Sequence, residues 1–265
     1  MALGIGQNVV KSRIVKPTTV SPHSVIFDGV NDVIITPDAD TLTVSNNFAV
    51  LFWVYMDSSD VASQNHGFLH KQREYGCGLI SSGRDMFFLV EDSSNSKRYR
   101  VFMNFTNNDA SGNPWAGNKF PTDAWTLVAI NSSDASETLN LKLFINNRDT
   151  GGQLKDSDFE ASENLGSDLL IGSADSSTSA VDAADSFAKC KITNFSIIGD
   201  TLTTTELTNI YGAGQTGNYN DFHNKSVLVY YRFFEGSGLT FEDLSGNNND
   251  GASASVATAP TFEIL

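Results

Sequence analysis

Leu139-Asn140-Leu141-Lys142-Leu143-Phe144-Ile145 has the alternating pattern of a β-strand with one buried face. Successive side chains of a strand point to opposite faces, so the apolar side chains at positions 139, 141, 143 and 145 share one face. Asn140 and Lys142 point away from that face. Asn146-Asn147 follows directly, and Asn is favoured in tight turns. The segment therefore predicts a half-buried strand that enters a hairpin.

Short segments with similar strand-forming composition recur from Ser24 to Phe234 and are separated by Gly, Asn, Asp and Ser. This spacing predicts an all-β fold in which two antiparallel sheets form a sandwich. One of the predicted strands covers Leu79–Ser81. The pattern contains no β-α-β alternation of the kind that indicates a parallel sheet.

One short helix is predicted after Thr203. Thr203 and Glu206 have the spacing of a capping box, and Gly212 supplies a stop after the apolar residues Leu207 and Ile210. We expect this helix to pack across the edge of the sandwich.

The composition favours one large domain. A length of 265 residues is compatible with a single β-sandwich, and 40% hydrophobic residues with 18 Phe suffice for a sizeable core. The net charge of −14 disfavours nucleic acid as a partner, because binding to phosphates depends on Lys and Arg. Most of the carboxylates are expected to face solvent.

Residues 1–20 are predicted to form an extended arm, and residues 21–265 the domain. The arm has three basic residues and no acidic residue; without its charges the net charge of −14 becomes −17. Two alternatives remain open: a disordered terminus, or an arm that orders on a partner by strand addition or charge pairing. The predicted partner-binding residues are Val10, Lys11, Arg13, Ile14 and Lys16.

The N-terminus has no apolar segment typical of a signal peptide, and no apolar segment is long enough to cross a membrane. We therefore expect no membrane partner. Cys77 and Cys190 are too few for a disulfide framework and are interpreted as small buried core residues, with one disulfide between them as the alternative.

Several motifs, in the same order along the chain, resemble those of laminin G-like domains of the concanavalin A-like fold. The resemblance implies a jelly roll with two antiparallel sheets. The motifs are Phe27-Asp28-Gly29-Val30-Asn31-Asp32, the strand at 48–54, Trp125-Thr126-Leu127-Val128-Ala129, the hairpin at 141–147, Leu170-Ile171-Gly172, and the closing strand and helix at 191–211.

A further segment, Tyr230–Gly238 followed by Asp243–Gly251, is similar to one that accompanies such modules in bacteriophage virion proteins. We expect residues 226–265 to form a terminal strand and a tail segment packed on the domain. The resemblance implies a non-enzymatic structural protein of the virion surface: a capsid decoration, head appendage or tail-associated protein. Such a protein is made in the host cytoplasm and binds other virion proteins or copies of itself.

The alternative is a free, extracellular carbohydrate-binding module similar to lectins, and either kind of protein could contact cell-surface polysaccharide. Trp115 lies between Pro and Gly residues in a polar loop, which makes it a candidate for stacking on a sugar, with Asn113 and Asn118 beside it. A Trp that folds back over the sandwich edge is the competing interpretation.

Catalysis is not expected. Retaining glucanases with a similar jelly roll carry an E-x-D-x-x-E strand, and that motif is absent from this sequence. His66 and His70 are four residues apart, but they lie in a predicted strand and are interpreted as isolated histidines rather than zinc ligands.

Calcium is the one cofactor for which the sequence contains candidate ligands. Hard cations prefer carboxylate, amide and carbonyl oxygens, which turns rich in Asp and Asn supply. Asx turns, in which these side chains bind their own backbone, are the alternative. The candidates are Asp28, Asp32, Asp243, Asn247 and Asp250.

Overall fold

The computed structural model describes residues 22–61, 63–72, 74–80, 85–91, 98–104, 120–134, 139–151, 153–155, 165–174 and 186–265. One α-helix, α1, covers Thr204–Ala213 in these residues, and short 3-10 turns cover Asp40–Leu42, Tyr219–Asp221 and Val256–Thr258. The strands are β1 His23–Asp28, β2 Ile34–Thr36, β3 Phe48–Tyr55, β4 His66–Lys71, β5 Tyr75–Leu79, β6 Asp85–Glu91, β7 Arg98–Asn104, β8 Trp125–Asp134, β9 Leu139–Ile145, β10 Arg148–Asp149, β11 Gln153–Lys155, β12 Leu169–Ile171, β13 Ser173–Ala174, β14 Ser186–Phe187, β15 Lys189–Ile198, β16 Val227–Tyr231, β17 Thr240–Phe241, β18 Gly251–Ala252 and β19 Thr261–Ile264.

These strands form two sheets, which confirms the predicted sandwich. Within the described ranges, one sheet has eight strands in the order β10-β9-β8-β3-β15-β1-β19, with β16 also paired to β15. The other has eleven strands, in the order β11-β7-β6-β5-β4-β12-β2-β18-β17, with β14 on β4 and β13 on β14. The described strand pairs are antiparallel except for β14 with β4, which run parallel.

Strand β3 lies at the centre of the eight-stranded sheet and is buried on both faces. Val50, Phe52 and Val54 point into the main core between the sheets. Leu51 and Trp53 point to the opposite face, where they join a second apolar cluster. A continuous apolar segment is the pattern expected of a strand covered on both sides.

Helix α1 covers that second cluster. Leu207 and Ile210 of the helix are buried against it, together with Leu127 of β8. The predicted capping box is present, since Thr203 accepts from the Glu206 N–H and Glu206 accepts from the Thr203 N–H. The expectation that the helix packs across the sandwich edge is wrong. Helix α1 lies on the outer face of the eight-stranded sheet, where it buries the outward-facing apolar residues of β3 and β8.

Phe27 of the opening motif contacts Gly172 of the later strand motif. Gly172 has φ of +86°, and a Cβ at this position would lie 2.1 Å from Cε1 of the Phe27 ring. Only glycine allows this approach at this backbone conformation. Two motifs 145 positions apart in the sequence are thereby packed against each other.

The cysteines are buried, and neither forms a disulfide. Both belong to the core between the sheets, as the sequence predicts. Burial raises the pKa of both thiols well above the ordinary range. In the described part of the chain, no helix combines the length and hydrophobicity that a membrane span requires.

Candidate functional site: a polar cleft beside the C-terminal turn

The C-terminal turn is organised around Asp243. Its Oδ1 accepts hydrogen bonds from the backbone N–H groups of Tyr230 and Ser245, each at 2.9 Å. Its Oδ2 accepts from Ser245 Oγ at 2.6 Å and from the Asn249 N–H at 2.9 Å. Because Asp243 is almost fully buried, these four donors replace the water that its carboxylate loses on folding.

Asn247 is held in the same turn by strand β16. Its Nδ2 donates to the carbonyl oxygens of Val227 at 2.8 Å and Leu228 at 3.0 Å. The turn needs a left-handed backbone on both sides of this residue, with φ of +91° at Gly246 and +60° at Asn248. Gly and Asn are the residues that adopt this conformation most readily, so the local sequence fits its geometry.

A cleft of about 400 Å³ lies between this turn and the segment that enters β16. Most of the groups that line it are amides and hydroxyls. Among the described residues of the lining, Val227 is the only aliphatic one, and none is Phe, Tyr or Trp. The lining consists of Asn220, His223, Asn224, Lys225, Ser226, Val227, Ser245 and Asn247.

Lys225 is the cation of the cleft, and Asp200 pairs with it. The distance from Lys225 Nζ to Asp200 Oδ2 is 3.0 Å. This hydrogen bond lowers the pKa of Asp200 and raises the pKa of Lys225, so both groups are charged at neutral pH. Glu206 of helix α1 also acts electrostatically on Lys225. Burial opposes ionisation of Glu206, but hydrogen bonds from Thr203 hold its pKa below the ordinary value.

His223 is neutral in this environment, because burial lowers the pKa of its ring. Its Nδ1 lies 3.2 Å from the backbone N of Lys225 and accepts the hydrogen of that N–H. The ring proton is therefore assigned to Nε2, which is buried and has no hydrogen-bond partner in the described structure. His223 thus contributes no charge to the cleft.

The lining can exchange hydrogen bonds with a ligand in both directions. Both Nδ2 hydrogens of Asn247 are used by β16, so Asn247 can offer a ligand its Oδ1 acceptor. Asn220, Asn224 and Ser226 are exposed and carry both donors and acceptors. A hydroxyl group, which donates and accepts, is the ligand group that matches this set.

The residues predicted to bind calcium fall into two hydrogen-bonded turns. In the first, Asp32 Oδ2 accepts from the Asp28 N–H at 2.9 Å, and Asp28 Oδ1 accepts from the Val30 N–H at 2.7 Å. In the second, Asp250 Oδ1 accepts from the Asp243 N–H at 2.7 Å. Within the described ranges, no group of three or more His, Cys, Asp or Glu residues is arranged to hold a metal ion. Calcium binding stays a prediction.

Two sets of predicted site residues lie outside the described residues. One is the sugar-binding set Trp115, Asn113 and Asn118, and the other is the arm with Val10, Lys11, Arg13, Ile14 and Lys16. Both sets stay predictions.

The cleft was not predicted from the sequence, because its residues come from segments separated by about twenty positions. The signal that could have located it is the Asn-rich segment at 218–226, which precedes the strand leading into the Asp243–Gly251 motif.

Comparison with known proteins places the chain in a family. The family model described as the concanavalin A-like lectin/glucanases superfamily matches residues 28–208, which is more than half of the chain. A comparison with curated proteins gives no match.

Solved structures with a similar fold include a candidate carbohydrate-binding protein from Bacteroides ovatus, with a TM-score of 0.61 and 13% identity. The alignment covers 92% of this chain and 60% of that one, so the chain spans less than two thirds of the other protein. A SAP-like pentraxin from Limulus polyphemus gives a TM-score of 0.47 at 9% identity, over 82% of this chain and 94% of that one.

The CBM40 module of the Ruminococcus gnavus IT-sialidase, bound to α2,3-sialyllactose, gives a TM-score of 0.46 at 10% identity, over 71% of this chain and 98% of that one. At such identities the likeness concerns the fold alone. The family match is the finding that assigns the chain: it belongs to the concanavalin A-like lectin/glucanases superfamily.

Proposed function

We propose that this protein is a non-catalytic carbohydrate-binding module and that the cleft beside Asn247 holds the sugar. The observation that carries the proposal is the lining of the cleft, where amides and hydroxyls surround about 400 Å³ of space. Ligand sites need a small number of well-placed polar groups, and sugar hydroxyls can use both donors and acceptors. Membership of a superfamily that contains lectins supports this class of ligand.

One wall of the cleft is held in place by the turn that forms it. Asp243 fixes the turn through four hydrogen bonds, and Asn247 is tied to β16 through its amide nitrogen. A site whose polar groups are already in place loses less conformational entropy when a ligand binds. This rigidity supports recognition by a preformed cleft.

The second candidate function is a structural role on a bacteriophage virion. The observation that favours it is the similarity of Tyr230–Gly251 to a segment that accompanies such modules in virion proteins. The two functions are compatible, because a virion protein with a sugar cleft could contact the surface of its host. Co-purification with virus particles at a fixed copy number tests the structural role.

A glycan array probed with the full chain tests the sugar-binding proposal. We expect saturable binding to a subset of glycans that is lost in the double variant N224A/S226A, because both side chains line the cleft and are exposed. The matched control is N140A, an exposed Asn on strand β9. Silence of the folded wild-type protein across a broad array would overturn the proposal.

A further inference from the structure

The proposed sugar site has a charge balance that restricts its ligand. We infer that the cleft selects neutral saccharides and rejects sugars that carry a carboxylate, such as uronic and sialic acids. The inference rests on the proposed function and adds a ligand class to it. It depends on the ionic partners of Lys225 and on the hydrogen-bonding groups of the lining.

Among the described residues that line the cleft, Lys225 is the one Lys or Arg, and a carboxylate ligand would need it as a partner. Its ammonium group is already paired with Asp200 at 3.0 Å. An acidic sugar must therefore either displace Asp200 or bind next to an ion pair that has no net charge.

The Lys225–Asp200 pair lies in negatively charged surroundings. Glu206 acts electrostatically on both Lys225 and His223 and is ionised, while His223 is neutral. One positive charge thus faces two negative charges, and the net charge of −14 on the whole chain adds to the same field. Like charges brought close together in a partly buried site repel each other, so the surroundings of the cleft disfavour an anion.

Asn247 can offer only an acceptor, because its amide hydrogens are held by Val227 and Leu228. An ionised carboxylate is an acceptor only and gains nothing from Asn247 Oδ1, whereas a sugar hydroxyl can donate to it. The arrangement therefore matches hydroxyl groups and mismatches a carboxylate at the same position.

The test compares glycans that differ by one acidic group. The full chain is titrated with pairs of immobilised glycans: a neutral oligosaccharide and its sialylated form, and a neutral hexose oligomer and its uronic acid counterpart. We expect the neutral member of each pair to bind, and the acidic member to bind at least about tenfold more weakly than its neutral partner. Equal or tighter binding of the acidic members would overturn the inference and leave carbohydrate binding intact.

The variant D200N removes the charge that occupies Lys225 while keeping an oxygen for the Thr201 N–H, which Asp200 Oδ1 accepts at 2.7 Å. D200N should narrow the difference in affinity between the acidic and the neutral glycans. The matched control is D149N, which removes an exposed carboxylate paired with Lys142 on strand β9. An unchanged ratio of neutral to acidic affinity in D200N would contradict the inference. If the wild type binds no glycan at all, the proposed function is overturned together with the inference.

Discussion

Asp243 Oδ1 accepts the backbone N–H of Tyr230 at 2.9 Å, and this bond joins the C-terminal turn to strand β16. The same carboxylate accepts three further hydrogen bonds within the turn. One buried side chain therefore fixes the wall of the cleft and strand β16 of the eight-stranded sheet together.

Replacing Asp243 should destabilise the protein. D243A leaves buried N–H groups of Tyr230 and Asn249 without acceptors, and such losses cost about 1–3 kcal/mol for each unsatisfied group. We expect the free energy of unfolding in urea to fall by about 2–4 kcal/mol. The control is D221N, at an exposed residue that accepts from Asn218 Nδ2, which should change stability by less than about 0.5 kcal/mol. A D243A protein as stable as the wild type would show that the turn is not held by this carboxylate.

His66 should make the fold sensitive to mild acid. Its Nδ1 accepts the Lys189 N–H at 3.1 Å, and its Nε2 lies 3.1 Å from the Asp60 carbonyl oxygen, to which it donates. Burial lowers the pKa of His66, and the positive charge of Lys189 lowers it further. Asp60, which pairs with Lys189, opposes this shift. The folded state therefore holds the neutral ring, and protonation would break the bond to Lys189.

The pH window follows from the direction of that shift. The unfolded histidine takes up a proton near pH ~6.5, before the folded one does, so stability is full above this value and falls as the pH drops below it. The contribution of one such group is at most about 1.4 kcal/mol per pH unit. The contribution of His66 is measured by comparing the free energies of unfolding of wild type and H66N between pH 7 and pH 5. His223 contributes in the same direction to both proteins, so its effect cancels in the comparison. Parallel curves for the two proteins would exclude His66 as the sensor.

The buried pair Lys71–Glu74 gives a test by double substitution. Both side chains are fully buried and in contact, and Lys71 Nζ also lies 2.8 Å from Asp38 Oδ1. Removing one partner leaves an uncompensated buried charge, so K71M should cost about 3–5 kcal/mol. The double variant K71M/E74M should recover most of this loss, since apolar pairs often replace buried ion pairs without cost. Additive losses in the double variant would contradict this account.

Deleting residues 1–20 should separate attachment from folding. Strand β1 begins at His23, so the truncation removes no residue of the described sandwich. We expect an unchanged melting temperature and weaker binding to virus particles or partner proteins. If the basic residues of the arm contact an acidic surface, attachment should also weaken with salt, which screens exposed charges over about 8 Å at physiological ionic strength. Undiminished attachment of the truncated chain would shift the anchor to residues 243–265.

Patterns with a single physical cause were predictable from the sequence. The alternation at 139–145 appears as strand β9, and the Thr203–Glu206 spacing appears as a capping box. The sequence predicts a strand at Leu79–Ser81, whereas strand β5 covers Tyr75–Leu79; its two glycines conceal the pattern, because glycine is normally rare inside strands. In the structure, Gly78 leaves room for a ring: a Cβ there would lie 2.8 Å from Phe87 Cζ.

The cleft was harder to predict, because it exists only after β16 has been paired with β15 and the Asp243 turn has closed on it. Asn224 and Asn247 carry no local pattern that marks them as neighbours. Both segments are rich in Asn, but their meeting depends on tertiary hydrogen bonds that no local pattern encodes.

The most direct test of the account is calorimetric titration of the full chain with the neutral glycan that binds best on the array. The wild type is compared with N224A/S226A in the cleft, W115A in the predicted sugar-binding set, and N140A on β9 as control. We expect the cleft variant to bind at least about tenfold more weakly than the wild type, a loss of about 1.4 kcal/mol or more, while W115A and N140A bind as the wild type does. Loss of binding in W115A with full affinity in N224A/S226A would contradict this expectation and assign the sugar to the residues around Trp115.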